Sequence, residues 1–124
     1  MLKLGQAGRT LRVVNDQFGS PTSTADLAEA TLQLIDHQAS GLFHVTNSGV
    51  TSWYEFAQST MKAFGVKADL APQSTEDWVK SRPKQAKRPL YSVLDCKKYT
   101  SVTHQILRDW NEALADYRSD CQRV

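Results

Sequence analysis

The sequence is poor in the features that would place it outside ordinary globular proteins. Its 124 residues include only two cysteines, Cys96 and Cys121, which lack metal-ligand spacing and are too few for a disulfide framework. No apolar run approaches the roughly 20 residues that span a bilayer. The amino end lacks the apolar core and cleavage pattern of a secretory signal. We therefore expect reduced thiols, no membrane partner and a cytoplasmic location.

The chain also has no internal repeat and no low-complexity stretch, and its composition is ordinary. Hydrophobic residues make up 40% of it and charged residues 23%, as is typical of a soluble globular protein. Its length fits one domain with its own core, so a single domain is predicted over residues 1–124. Leu2 and Leu4 followed by Gly5 and Gly8 resemble the end of a helix. We therefore expect the chain to be a fragment that begins inside a fold.

Positive charge is concentrated in the stretch from Lys80 to Lys98. This stretch holds seven basic residues and one acidic residue, whereas the rest of the chain holds eight basic and twelve acidic residues. Because a guanidinium group can donate two parallel hydrogen bonds to phosphate oxygens, the stretch is a candidate phosphate-binding loop. A solvated loop without a ligand is the alternative on charge alone. Nucleic acid is not an expected partner, because few aromatic residues lie among these cations.

Short strands alternate with helices along the chain, which predicts an α/β fold. β-Branched and apolar runs predict strands over residues 11–15 and 42–46, an extended run over 67–74 and a further short strand over 90–94. Capping and periodicity signals predict helices from residues 22–24 to 36, over 52–64 and over about 105–119. One helical turn is predicted over 75–79, before Pro83 and Pro89 interrupt regular structure.

The helix over residues 52–64 has the clearest signals. Ser52 and Glu55 form an S-x-x-E capping box, and Gly65 is placed to end the helix in a left-handed conformation. An apolar stripe that includes Trp53 and Phe56 recurs at helical spacing. The pattern favours a core position for Trp53, with a sugar-stacking platform as the alternative.

The other two long helices are predicted from weaker stripes. In the helix ending at residue 36, Leu27 and Ile35 belong to an apolar stripe that recurs at helical spacing. In the last helix, Trp110 and Leu114 are predicted to face the core, while Arg108, Asp109, Glu112 and Asp116 are predicted to face water.

Four sequence blocks occur in a recognisable order: VVNDQFGSPTSTADLAEA, GLFHVTNSGVTSWYEFA, KRPLYSVLD and RDWNEAL. Together they resemble the carboxy-terminal part of the dTDP-4-dehydrorhamnose reductases, a family of the extended short-chain dehydrogenase/reductase superfamily. The resemblance covers nearly the whole chain. It implies the substrate-binding portion of such an enzyme, with a few short strands packed with about three main helices. The Rossmann nucleotide-binding half would be missing.

The resemblance implies a reaction that the chain cannot complete alone. Reductases of this family reduce the 4-keto group of dTDP-4-dehydro-L-rhamnose to give dTDP-L-rhamnose for surface polysaccharide biosynthesis, with NADPH bound by the amino-terminal domain. The family's Tyr-x-x-x-Lys pair is absent, since no tyrosine is followed by lysine four residues later. Gly5 and Gly8 form only a G-x-x-G without a preceding strand or third glycine. We expect an inactive chain with no catalytic, cofactor-binding or metal-binding residues of its own.

Five residues are candidate substrate contacts. The resemblance places Arg88 of the R-P-x-Y-S block near the substrate's diphosphate or in a role that braces the loop. Tyr91 and Ser92 of the same block offer hydroxyl groups, although a tyrosine bonded to the backbone explains Tyr91 equally well. Gln17 and Thr22, in the D-Q-x-G-x-P-T block, are candidates to face the nucleotide sugar.

The expected partners follow from the same resemblance. They are a dTDP-sugar and the missing Rossmann domain or, in its absence, a second copy of the chain joined through the exposed apolar face. An alternative function is that of a non-catalytic, reductase-like subunit with a regulatory or interaction role. A glycine-rich strand-turn-helix and a Tyr-x-x-x-Lys pair in an upstream segment would favour the enzyme.

Overall fold

The computed structural model describes residues 2–5, 8, 10–82 and 85–122. In chain order its elements are α1 (Leu2–Gly5), β1 (Leu11–Val14), β2 (Phe18–Gly19), α2 (Thr24–Asp36), β3 (Thr51–Ser52), α3 (Trp53–Ala63), β4 (Leu70–Gln73), α4 (Thr75–Lys80), α5 (Lys97–Thr103) and α6 (Trp110–Cys121). The α/β class is confirmed. None of the helices in these ranges is long and apolar enough to cross a bilayer.

The described residues divide into two compact units. The first consists of Met1–Gly19 and Thr51–Ser92, and the second of Ser20–Val50 and Val93–Val124. Both units therefore draw on two separate stretches of the chain. The expectation of one domain over residues 1–124 stays a prediction.

The first unit is built around a two-stranded parallel sheet. Strand β1 pairs with β4, so that Leu11 lies opposite Leu70 and Val14 opposite Gln73. Helix α3 packs on this sheet and buries a stripe made of Ala57, Thr60 and Met61. The predicted strand over 11–15 and the extended run over 67–74 are thus confirmed to within a few residues.

Helix α3 begins and ends as the sequence predicts. The Ser52 hydroxyl accepts a hydrogen bond from the Glu55 N–H at 3.2 Å, and the Ser52 N–H donates to the Glu55 carboxylate at 3.0 Å. At the other end Gly65 has φ +65°, which lets the Val66 N–H reach the Met61 carbonyl at 2.9 Å. These caps fix the ends of the helix that covers the sheet.

A second, smaller pairing holds the chain after β1. Strand β2 pairs antiparallel with β3, so that Phe18 lies opposite Ser52, a pairing that the sequence did not predict. Phe18 also forms an isolated bridge with Tyr91. The prediction of a strand over 90–94 is wrong beyond that bridge, because β2 is too short to supply a longer ladder.

The second unit contains α2, α5 and α6. Helix α2 begins after Ser23, whose hydroxyl accepts from the Asp26 N–H, and buries Ala30. The apolar stripe of α2 is largely exposed, since Leu27 is 42% exposed and Ile35 is 64% exposed. Helical periodicity reveals an apolar face but does not say which face the neighbouring elements cover.

Two predictions for the second unit are wrong. Residues 42–46 form no strand, because no described segment offers them a ladder partner. Helix α6 starts at Trp110 rather than near residue 105, and α5 was not predicted at all. His104 ends α5 with φ +57°, and Asp109 caps α6 by accepting from the Asn111 N–H at 2.8 Å. A left-handed histidine carries no glycine or proline signal in the sequence.

Asn47 is the polar centre of the second unit and is only 1% exposed. Its Oδ1 accepts from the Ser23 N–H at 2.8 Å, and its Nδ2 donates to Asp26 Oδ2 at 2.7 Å and to the Arg108 carbonyl at 3.1 Å. Its own N–H donates to the Thr22 hydroxyl at 3.3 Å. One buried amide therefore joins the start of α2 to the segment before α6.

Arg108 completes this network, although the sequence predicts that it faces water. Its Nε and one Nη donate to the two Asp26 carboxylate oxygens at 3.0 and 2.8 Å, and its other Nη pairs with Asp116. Hydrogen bonds from Arg108, followed by that from Asn47, hold the pKa of Asp26 below its ordinary value of 3.8 despite burial. This paired geometry is the fork arrangement that suits a guanidinium and a carboxylate.

The network predicts acid sensitivity. A carboxyl group whose folded pKa is depressed contributes stability above its unfolded pKa and loses that contribution as the pH falls through the folded value. We expect Asp26→Asn to lower the free energy of unfolding by about 2 kcal/mol at pH 7. The difference from the unsubstituted chain should shrink below pH 3.8. Urea unfolding at pH 7, 5 and 3 measures it, and a difference that does not change with pH would contradict the assignment.

Candidate functional site

The first unit contains an open pocket of about 750 Å³ beside β1. We call it the arginine pocket. The residues that line it include Arg12, Arg82, Arg88, Gln17, Trp53 and Trp78. Its volume lies within the roughly 300–1,000 Å³ of typical small-molecule sites.

Charge in the arginine pocket has one sign. Arg12, Arg82 and Arg88 contribute guanidinium groups, and no carboxylate is among the described lining residues. None of the three forms an ion pair with a carboxylate in the part of the chain that the structure describes. Three unpaired cations around one opening attract an anion and can bind its oxygens bidentately.

The backbone around Arg88 is tied to the strand region beside the pocket. The Phe18 N–H donates to the Leu90 carbonyl at 2.7 Å, and the Ser92 N–H donates to the Phe18 carbonyl at 2.9 Å. Arg88 lies outside any helix, as expected for a residue that precedes proline, because proline disfavours the helical region for its predecessor. Arg88 therefore lies two residues before Leu90, which is bonded to Phe18 in the segment that follows β1.

Arg82 is placed by helix α4 and by Trp78. The guanidinium carbon of Arg82 lies 5.3 Å from the Trp78 ring centroid, a cation–π contact. The Ser74 hydroxyl caps α4 by accepting from the Asp77 N–H at 3.1 Å. The predicted helical turn over 75–79 is confirmed, and it carries Trp78 to the pocket.

Helix α4 is itself clamped to the end of β1 through Thr75. The Thr75 N–H donates to both Asp16 carboxylate oxygens at 2.9 and 3.0 Å, and its hydroxyl donates to Asp16 at 2.6 Å. Gln17 Nε2 donates to the same Thr75 hydroxyl at 3.0 Å. Burial alone would raise the pKa of Asp16, but the Thr75 hydrogen bonds hold it below its usual value. The clamp fixes the helix that presents Trp78 and leads to Arg82.

Trp53 does not occupy the core position that the sequence predicts. It is 49% exposed and borders the arginine pocket, while the next apolar positions of α3 are more buried. Its ring meets Phe56 edge to face, with centroids 6.5 Å apart and an interplanar angle of 72°. As the first residue of α3 it lies at the border of the buried stripe, so periodicity alone did not separate it from the core.

The structure brings together only part of the predicted site. Gln17 and Arg88 line the arginine pocket, although Gln17 is 6% exposed and its amide donates to Thr75. Tyr91 and Ser92 are exposed and are not among its described lining residues. Thr22 belongs to the second unit, where its hydroxyl donates to the Ser20 carbonyl at 3.1 Å and accepts from Asn47. Substrate contact by any of the five stays a prediction.

Sequence reasoning missed Arg12 as a pocket residue, and named Arg82 only as one of many cations. The signal for Arg12 is the alternation of β1, in which a lone arginine lies between apolar neighbours. For Arg82 the basic stretch was the signal, but the residues of that stretch are divided between the two units. Lys80 pairs with Glu76 at 2.8 Å, and Lys97 and Lys98 belong to the second unit.

Gly5 of the G-x-x-G pair has a packing role. Gly5 is buried at the end of α1, where an added Cβ would lie 3.0 Å from Met61 Sδ and 3.1 Å from Ala68 Cβ. Its missing side chain serves close packing against α3, not the approach of a pyrophosphate to a helix N-terminus. No group of three or more potential metal ligands occurs within the described ranges either.

Comparison with known proteins gives one consistent answer. The family model for the RmlD substrate binding domain matches residues 1–123. The spore coat polysaccharide biosynthesis protein SpsK of Bacillus subtilis is 44% identical over 117 residues, covering 94% of this chain and 39% of that protein.

Solved structures agree. A dTDP-4-dehydrorhamnose reductase from Clostridium acetobutylicum superposes with TM-score 0.86 and 40% identity, over 98% of this chain and 42% of its own. The Bacillus anthracis enzyme, solved in complex with NADP, gives TM-score 0.87 and 32% identity over 96% and 41%. The chain therefore spans about two-fifths of the length of these proteins.

Proposed function

The chain belongs to the RmlD substrate-binding domain family, and on this premise we propose that it is the substrate-binding part of a dTDP-4-dehydrorhamnose reductase. The reaction of the complete enzyme would be the NADPH-dependent reduction of dTDP-4-dehydro-L-rhamnose to dTDP-L-rhamnose. In this proposal the arginine pocket receives the diphosphate of the nucleotide sugar.

The observation that carries the proposal is the charge of the pocket. A nucleoside diphosphate presents several anionic oxygens, and three guanidinium groups without carboxylate partners offer complementary donors. Arg88 lies in the R-P-x-Y-S block, and Arg12 and Arg82 extend the cationic surface around it. A solvated basic loop would not need Arg82 held on Trp78 beside the same opening.

In this proposal the chain's own residues bind and orient the substrate. The guanidinium groups hold the diphosphate. The Asp16–Thr75–Gln17 clamp fixes α4, which carries Trp78 and leads to Arg82. Hydride would come from the nicotinamide of NADPH held by the remainder of the complete enzyme.

Binding of dTDP tests the proposed function. Titration of dTDP into the 124-residue chain, followed by amide chemical shifts, should give saturable changes at Arg12, Arg82 and Arg88. Inorganic pyrophosphate should compete, because it offers the same diphosphate oxygens. Thymidine, which lacks phosphate, should not shift these arginines, and no response to millimolar dTDP would refute the assignment.

We further expect the chain alone not to oxidise NADPH in the presence of dTDP-4-dehydro-L-rhamnose. It has neither a Tyr-x-x-x-Lys pair to supply the proton nor a glycine-rich loop to orient the nicotinamide. Absorbance at the reduced nicotinamide band, with a complete reductase as positive control, measures this. Stereospecific hydride transfer by the purified chain would show that the chemistry does not need a further segment.

Exposed apolar side chains indicate what the chain associates with. The apolar side chains Leu27 and Ile35 are exposed on α2, and Leu4 is exposed on α1. Apolar surface of this kind favours association, either with the rest of a complete reductase or with a second copy of the chain.

A further inference from the structure

Trp53 is a half-exposed indole whose position is fixed through its own backbone. Its backbone N–H donates to the Gln17 carbonyl at 3.3 Å. Ser52 and Glu55, the two residues of the capping box, flank it in the sequence. Phe56 holds one edge of its ring. The indole is therefore anchored while 49% of the residue stays exposed.

The same indole borders the arginine pocket. An aromatic surface beside three unpaired guanidinium groups combines two kinds of recognition in one opening. Guanidinium groups bind phosphate oxygens, and an exposed indole face offers a stacking surface to any planar ring, since every nucleobase has a π face. A ligand with both a planar ring and a diphosphate uses all of these groups.

We propose that Trp53 is the stacking platform for the nucleobase of the nucleoside diphosphate whose phosphates lie on Arg12, Arg82 and Arg88, an inference that rests on the function proposed above. Stacking tolerates any base, so Trp53 selects a nucleotide over a bare diphosphate and does not choose among bases. Trp78 has a different role, because Arg82 already covers it.

A hexose is the competing occupant of the indole face, because sugars also pack on aromatic rings. The ligand dTDP carries a base but no hexose, and pyrophosphate carries neither. Comparing these two ligands therefore isolates the base from the sugar and from the diphosphate.

The test compares dTDP and inorganic pyrophosphate in four proteins: the unsubstituted chain, Trp53→Leu, Trp53→Phe and Tyr117→Leu. Trp53→Leu should weaken dTDP roughly five- to a hundred-fold and leave pyrophosphate unchanged. Trp53→Phe keeps an aromatic face, so its dTDP affinity should lie between those of the unsubstituted chain and Trp53→Leu. Tyr117→Leu removes an exposed aromatic residue of the second unit, which is not a pocket lining residue, and should change neither affinity.

A spectroscopic readout accompanies the affinities. Ring-current shielding by a stacked indole should move the thymine methyl and H6 protons of bound dTDP upfield, and this shift should vanish in Trp53→Leu. Equal dTDP affinity in the unsubstituted chain and Trp53→Leu, or an equal loss for pyrophosphate, would overturn the inference and leave the proposed function standing. Failure of the unsubstituted chain to bind dTDP would instead overturn the proposed function and the inference with it.

Discussion

Replacing Arg88 by alanine should weaken dTDP binding by roughly ten- to a hundred-fold, equivalent to about 1.5–3 kcal/mol. The substitution removes one of three guanidinium groups from the arginine pocket, and with it a charge-assisted contact to the diphosphate. Arg88→Lys should recover only part of the loss, because an ammonium group keeps the charge but not the planar pair of donors. Titration of dTDP into each variant measures the effect.

Lys87→Ala is the matched control for this prediction. It removes the same charge from the adjacent residue, which is exposed and is not among the described lining residues of the pocket. Its dTDP affinity should change little at physiological ionic strength. If Arg88 only braces its loop, Arg88→Ala should lose thermal stability with no selective loss of dTDP. Equal dTDP affinities in folded Arg88→Ala and Lys87→Ala would remove Arg88 from the site.

Replacing Asn47 by alanine should lower the free energy of unfolding by about 2–4 kcal/mol, because several buried groups lose their partner together. The Ser23 N–H, the Arg108 carbonyl and one Asp26 oxygen all bond to the Asn47 amide. Water cannot easily replace the amide at a site that is 1% exposed. Urea unfolding of the purified variant measures the change.

Asn111→Ala serves as the control for that measurement. It removes the same amide from an exposed position in the first turn of α6, so the expected change is within about 0.5 kcal/mol. Asn47→Asp adds a sharper test, since a second carboxylate would face Asp26 where an amide now donates. Similar stabilities for Asn47→Ala and Asn111→Ala would contradict the role given to Asn47.

Local signals in the sequence predicted the parts of the fold that are locally determined. The capping box of Ser52 and Glu55 and the left-handed Gly65 located α3, because each depends on residues within one helical turn. Strand β1 followed from a short apolar run, and the helical turn that corresponds to α4 was predicted ahead of the prolines that follow it. The order of the four sequence blocks predicted the family, which the match over residues 1–123 confirms.

Features that depend on distant residues were not predictable in this way. The strand expected over 42–46 needs a partner backbone that periodicity cannot supply. The apolar face of α2 was recognised, yet its exposure depends on what packs against the helix, and Leu27 and Ile35 remain exposed. Arg108 carries a charge typical of a solvated helix face, but it pairs with Asp26, 82 residues away in the chain.

The candidate site shows the same division. The R-P-x-Y-S block made Arg88 a candidate site residue, and Arg88 lines the arginine pocket together with Gln17. Arg12 and Trp53 join them only because β1 and the start of α3 meet in the first unit, a contact that no local pattern encodes. The sequence named Gln17 as a candidate substrate contact but did not indicate that its buried amide donates to Thr75.

A crystal structure of the chain with bound dTDP would show whether the arginine pocket holds the diphosphate. We expect the diphosphate within hydrogen-bond distance of Arg88 and of Arg12 or Arg82, with the thymine ring parallel to the Trp53 indole. A dTDP molecule bound in the second unit, or one whose phosphates contact none of the three arginines, would contradict this expectation.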